Sequence, residues 1–205
     1  MTIKNSSNIK PPFVSYSYTK GFFMSQYTRL INRSHPLSPD YRPVSLIDAG
    51  IPFDAPLTDP KRLLEPQAAY AARELFALAS SCDIQLYGIS GYRSYSRQSQ
   101  LYNGSSQIAP PGASEHQSGL ALDVSCLSIG LNLSEKFADT PEGKWLYAHA
   151  PLYGFILRYP KDKQHITGYP WEPWHIRYVT KSLSVYLKWT GMTLEEYHQL
   201  SHCSI

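Results

Sequence analysis

The sequence predicts a single α+β domain, and three observations carry that prediction. At 205 residues the chain is long enough for one substantial core and short for two. Hydrophobic content of 42% against 17% charged residues describes an ordinary soluble globular protein rather than a disordered one. Segments with strand-like alternation and segments with helical spacing are interspersed along the chain, and no internal repeat appears.

Residues 1 to about 28 are polar, rich in Tyr and Ser and without clear period. They read as a tail or an arm lying on the domain, which then occupies residues 29–205. The Pro-rich run from His35 to Pro60 reads as mainly extended loop, because proline fixes φ and donates no hydrogen bond. The first convincing helix runs from about Pro66 to Ser80. Pro66 suits the first helical position, and Ala68, Ala72, Leu75, Phe76 and Ala79 keep to one face. So Ala-rich a face packs closely on a sheet. Ile84 to Ser90 alternates like a strand. Gly91-Tyr-Arg-Ser-Tyr95 turns out of it toward a short helix, capped by Ser96 and running through Tyr102.

Gly119 lets the backbone turn from loop into the next strand. There Leu120, Leu122 and Val124 face one side, and Ala121, Asp123 and Ser125 the other. Thr140-Pro141-Glu142 combines a cap, a first-position proline and an acid in the first turn, opening a helix with Trp145, Leu146 and Ala148 as its buried set. Phe155 to Pro160 and Trp171 to Val179 read as strands, and Leu183 to Trp189 as helix. Thr193-Leu-Glu-Glu196 is a capping box for the last helix.

The totals exclude some functions. A net charge of +3 suits an anionic polymer such as a bacterial wall, but is too small and too scattered for nucleic-acid binding. The 16 Tyr against 7 Phe fit a polar groove or many core tyrosines equally well. Cys82, Cys126 and Cys203 lack a C-x-x-C pair and imply no disulfide framework. No apolar run of about twenty residues is present, so no membrane span is expected. Met1 to Pro12 lacks an apolar export signal. A cytoplasmic protein and a wall-facing one whose anchor has been removed remain alternatives, and a monomer is the default assembly.

Two stretches carry the chemistry: Ser114-Glu-His-Gln-Ser-Gly-Leu-Ala-Leu-Asp123 and Glu172-Pro-Trp-His175. Zinc in hydrolases is usually held by three N or O side chains with an open fourth position. His116, Asp123 and His175 supply such a set, and Glu172 a free carboxylate for use as base. Satisfied core or surface histidines are the competing explanation. Strict alternation would set Glu172 and His175 on opposite faces of a strand; Pro173 favours an edge or bulge, which would rotate His175 onto the Glu172 side. His35 and His165 read as surface loop residues. His198 and His202, four apart near the C-terminus, read as residues suited to a helix end.

The pattern Ser114-x-His116-x-x-Gly119-x-Ala121-x-Asp123, followed by Glu172-Pro-Trp-His175, resembles the zinc D-alanyl-D-alanine carboxypeptidases and dipeptidases of the vancomycin-resistance type. Gly91-Tyr-Arg-Ser-Tyr95 with Gln98, Gly154 to Pro160, and Ile166-Thr-Gly168 look like the same family. The resemblance covers roughly Leu30 to Tyr197. It implies the small fold shared with lysostaphin-like peptidases and the hedgehog signalling domain, a short antiparallel sheet carrying the metal and flanked by helices. It further implies one Zn2+ per chain on His116, Asp123 and His175, with Glu172 as catalytic base. Arg93 matches the arginine that meets the substrate's terminal carboxylate or the polarised carbonyl oxygen, a role its planar fork suits. Gln98 and Ser114 match polar residues of the same pocket, and Trp174 and Tyr95 its walls. The chain departs from the pattern between Tyr102 and Pro111, which is short, and this bears on substrate preference.

The implied activity is removal of the last D-Ala from a peptidoglycan stem peptide or precursor. L,D-carboxypeptidase, D,D-dipeptidase and phage-type endopeptidase are alternatives on the same class of substrate. A zinc-stabilised binding module is a more distant one, and it would be expected to lack the base that Glu172 supplies.

Overall fold

The structure is a computed structural model that describes residues 26–106 and 108–202. Most of the expected N-terminal tail lies outside them. Of the part described, Tyr27 lies on the domain: its hydroxyl donates to Glu65 at 3.1 Å, and its ring meets Tyr178 edge-on at 5.5 Å.

The Pro-rich region is mainly loop, as expected, with one short strand within it. Strands β1 (Ile47–Asp48) and β2 (Leu63–Leu64) pair antiparallel across it. Helix α1 (Pro66–Ser81) follows, with Pro66 at its start and the Glu65 carboxylate accepting from the N–H groups of Gln67 and Ala68, as an N-cap should. Strand β3 (Tyr87–Ser90) leads to α2 (Tyr95–Leu101). The cap of α2 is Ser94, not Ser96. Its Oγ accepts from the Arg97 N–H at 3.2 Å, and its extended backbone is the one a cap requires, whereas Ser96 is already inside the helix.

After β4 (Ala121–Ser125) comes α3 (Pro141–His149), capped by Thr140, whose side chain accepts from the Gly143 N–H. Its inward face is Gly143 and Leu146, with Trp145 half-buried; Ala148 is exposed. Two residues from Leu146, it points nearly the opposite way on a 3.6-residue helix. Strand β5 (Phe155–Leu157), a single turn α4 (Gln164–Thr167), β6 (His175–Tyr178), α5 (Lys181–Thr190) and α6 (Leu194–His202) complete the chain. The Thr193–Glu196 box is reciprocal: the Thr193 N–H donates to Glu196 Oε2 at 2.8 Å and the Glu196 N–H to Thr193 Oγ1 at 3.2 Å.

The main sheet has the order β3-β4-β6-β5, every neighbour antiparallel. Leu120, Leu122, Val124 and Ile176 are buried together with the alanines of α1, because alanine lets a helix approach a sheet closely. Leu122 has no exposure, and truncating such a residue to Ala costs about 2–5 kcal/mol. The opposite face carries polar residues. Asp123 and His175 are direct cross-strand partners, as are Ala121 and Arg177, so one face of the sheet's two central strands is committed to charge.

Candidate active site

His116 is presented by a 3-10 turn, Glu115–Ser118, which Gly119 closes in the left-handed conformation at φ +70. A Cβ at Gly119 would also come 3.1 Å from the Glu65 backbone nitrogen, but it is the left-handed conformation that calls for glycine. The turn delivers His116 beside β4. His116 Nδ1 lies 2.7 Å from the Gly91 carbonyl; a carbonyl only accepts, so this nitrogen carries the proton. The lone pair is therefore on Nε2, 3.2 Å from Asp123 Oδ2. Burial depresses the pKa of His116 and favours the neutral ring that a metal ligand must be.

His175 meets the other oxygen, its Nδ1 2.9 Å from Asp123 Oδ1. Its Nε2 faces Glu115 Oε2 at 3.5 Å. Burial opposes charging of this ring, but its hydrogen bonds to Asp123 and Glu115 and the charges of Asp123 and Glu172 prevail, raising it to about 10. Burial likewise opposes ionisation of Asp123, yet His116 and His175 hold its carboxyl well below the usual range. The pocket is built to attract positive charge.

Glu172 stands beside this cluster for a reason other than a bulge. Strand β6 starts only at His175, and residues 172–175 form a tight turn in which the His175 N–H donates to the Glu172 carbonyl at 3.2 Å. Strand alternation does not apply within a turn, so both side chains reach the same side, Glu172 Oε2 lying 3.9 Å from His175 Nδ1. Burial raises the Glu172 carboxyl to about 7, with Asp123 and Glu115 adding to the effect and His175 and Arg93 opposing it.

Arg93 closes one wall. Its guanidinium donates to Ser90 Oγ at 2.9 Å and Gln98 Oε1 at 3.0 Å and lies 4.0 Å from Asp123 Oδ2. Gln98 is itself tied by its amide to the Ala109 carbonyl at 2.7 Å, so it holds Arg93 in place. All seven residues expected at the site, His116, Asp123, His175, Glu172, Arg93, Gln98 and Ser114, line one cavity of about 260 Å³, together with Trp174. Tyr95 is not among its lining residues and approaches Gly112 instead. His35 and His165 are exposed. His198 is buried, with Nε2 2.7 Å from the Thr28 carbonyl; the side chain of His202 lies outside the described residues.

The donor set fits zinc: two neutral-capable imidazoles and one carboxylate, with an acceptor behind each histidine to fix its tautomer. One ligand atom from each lies within 4.8 Å of the others, close to the span of about 4 Å that two metal–ligand bonds cover.

Some residues of the site escape sequence reading. Glu115, Arg158 and Arg177 form a sealed ion cluster behind His175, and Tyr159 packs its ring against His175 at 5.0 Å. The available signal was a charged residue set among apolar and aromatic ones in a strand, as in Phe155-Ile-Leu-Arg158 and His175-Ile-Arg177-Tyr178.

The profile of the family described as VanY, D-alanyl-D-alanine carboxypeptidase, matches residues 61–181. The chain belongs to this family. A Bacillus subtilis (strain 168) relative named as the putative carboxypeptidase YodJ is 39% identical over 180 residues, which cover 83% of this chain and 66% of that protein; the chain thus spans just under two thirds of that relative's length. Among solved structures, the LdcB LD-carboxypeptidase superimposes with a TM-score of 0.80 at 39% identity, covering 83% of this chain and 84% of that one. The vancomycin-resistance D,D-pentapeptidase VanY in complex with Zn(II) superimposes with a TM-score of 0.69 at 28% identity, covering 84% of this chain and 99% of that one. Like the VanY family's α+β architecture, the present fold sets a small antiparallel sheet among helices. Among the described residues no helix is long and apolar enough to cross a membrane.

Proposed function

We propose that this protein is a zinc carboxypeptidase that removes the C-terminal D-alanine from peptidoglycan stem peptides or precursors. The observation that carries this reading is the convergence of His116, Asp123 and His175 with the unligated carboxylate of Glu172 in one cavity.

His116 Nε2, Asp123 and His175 Nδ1 are the expected ligands of one Zn2+. When bound, that ion supplies a Lewis acid that acidifies water and polarises a carbonyl. Glu172 accepts the proton of the attacking water at a carboxylate oxygen, as its oxygen bonds to the scissile carbonyl carbon. When the C–N bond breaks, the same oxygen returns the proton to the leaving amine of D-alanine. Arg93 binds the terminal carboxylate through its planar fork, Gln98 orients it, and Ser114 adds a polar group to the same wall. One molecule as a working unit suffices for all these roles.

A second reading differs only in the residue before the cut. Its support is the likeness to the LdcB LD-carboxypeptidase, at 39% identity and a TM-score of 0.80. The test is incubation of zinc-loaded protein with stem pentapeptide and tetrapeptide, followed by mass spectrometry, with Glu172→Ala as control. Free D-Ala from the pentapeptide supports the first reading, and from the tetrapeptide alone the second. Release of D-Ala-D-Ala would make the protein a dipeptidase, and wall fragments an endopeptidase. No product from either peptide would end the carboxypeptidase assignment.

A further inference from the structure

Tyr169, one of the residues lining the candidate active site, carries an orphaned hydroxyl sealed beside it. The residue is 3% exposed and lines the cavity that holds the histidines and Glu172. Its phenolic oxygen is buried, yet has no hydrogen-bond partner among the described residues. A buried polar group left in this condition costs on the order of 1–3 kcal/mol, and the same ring without its hydroxyl would avoid that cost. The group is therefore a candidate for a partner that arrives with the substrate.

The ring is not free to swing away and find a partner elsewhere. It packs against Tyr159 at 4.9 Å, and Arg33 covers it at 5.1 Å. The backbone is fixed as well: Gly168 takes a left-handed conformation at φ +77, and the Tyr169 N–H donates to Thr167 Oγ1 at 3.3 Å. The hydroxyl is thus held in place, as a recognition group must be.

Its position within the cavity is informative. Arg93 belongs to one wall, with Ser90, Gln98 and Asp123. Tyr169 packs instead with Tyr159, which also lines the cavity and in turn contacts His175. The charge of Glu172 is felt by both Arg93 and Tyr169. If Arg93 takes the terminal carboxylate, the cut bond falls beside Glu172, and Tyr169 is among the lining left for the peptide preceding the cut. Burial also pushes the phenol up to about 12, so it keeps its proton and acts as a donor.

We propose that the Tyr169 hydroxyl is a substrate-positioning donor for a carbonyl or carboxylate on the acyl side of the scissile bond. The proposal rests on the carboxypeptidase reading and deepens it: Arg93 would read the residue released, and Tyr169 the residue kept.

The test is Tyr169→Phe, made in the wild type and in Glu172→Ala. The melting temperature, zinc affinity by competition with a chromophoric chelator, and kcat/KM on D-Ala-terminated stem peptides are measured. Binding of the same peptides to the zinc-loaded Glu172→Ala proteins is measured by calorimetry. The expected result is a melting temperature unchanged or raised, zinc affinity unchanged, and both kcat/KM and peptide affinity lower by about tenfold, the worth of one hydrogen bond. A variant that cleaves and binds like the wild type overturns the inference while leaving the carboxypeptidase reading intact. A loss of activity that comes with a lower melting temperature or weaker zinc binding assigns the hydroxyl a structural role and overturns it too. A wild type that neither binds nor cleaves any such peptide brings down the carboxypeptidase reading and this inference together.

Discussion

Arg158 Nε lies 2.7 Å from Glu115 Oε1, with both side chains fully sealed from solvent. Arg177 Nη1 donates to the same oxygen at 2.7 Å, and Arg158 reaches Glu195 on α6 through two bonds of 2.8 and 2.6 Å. The second Glu115 oxygen is left for His175. Removing one member of a buried ion cluster strands the others, at about 3–5 kcal/mol. Glu115→Ala should therefore lose roughly that much in urea unfolding; a loss under about 1 kcal/mol would show that the cluster relaxes freely.

Glu115→Gln keeps the shape and drops the charge. With the acceptor behind His175 weakened, zinc affinity should fall about 10–100-fold. Competition with a chelator measures it, and an unchanged affinity would mean that Glu115 does not orient the ring.

The same carboxylate sets an acid limit on stability. Burial opposes its ionisation, but Arg158 and Arg177 outweigh burial and hold Glu115 well below its ordinary value of 4.5. A group depressed in the folded state stabilises above its unfolded value, and that contribution is lost as pH falls toward the folded one. The Glu115 share of the urea midpoint should be complete above about pH 5 and be lost below it, so Glu115→Gln should show a shallower acid decline than the wild type. Equal slopes in the two proteins would assign the acid sensitivity to other carboxylates.

Glu172 should set the acid limb of catalysis. Its carboxyl is raised from 4.5 to about 7, chiefly by burial, and a bound dication pulls it back down. A base works when ionised, so kcat/KM should rise with pH and level off above a pKa between those values. A limb outside that interval would separate Glu172 from the proton transfer.

Gln98 is bonded to the Arg93 guanidinium and the Ala109 carbonyl, so on the proposed reading it acts through Arg93. Gln98→Ala should raise KM about tenfold, the worth of one hydrogen bond, for substrates with a free terminal carboxylate, and change little for the C-terminal amide. Equal losses on both would place Gln98 in the scaffold.

Much of this was legible in the residues. Pro66, Thr140 and the Thr193–Glu196 box mark helix starts because capping chemistry is local, and the parity of Leu122 and Asp123 separates core face from charged face because a strand has period two. The Glu172–His175 geometry was misread as a bulged strand, since alternation says nothing about where pairing stops and a turn begins. Ser94 was passed over for Ser96, an error of two residues that only backbone conformation resolves. The Glu115–Arg158–Arg177 cluster joins residues 43 and 62 positions apart, and no local pattern reports a pairing of that reach.

The turn from Glu172 to His175 has one more consequence. On the proposed reading, proton acceptor and metal ligand ride on the same three-residue tether, so the site cannot gape by parting Glu172 from His175. Room for an incoming peptide must then come from other parts of the lining, which include Ile108 and Ala109. Differences in appetite among such enzymes should then be written in those parts, while the tether stays invariant.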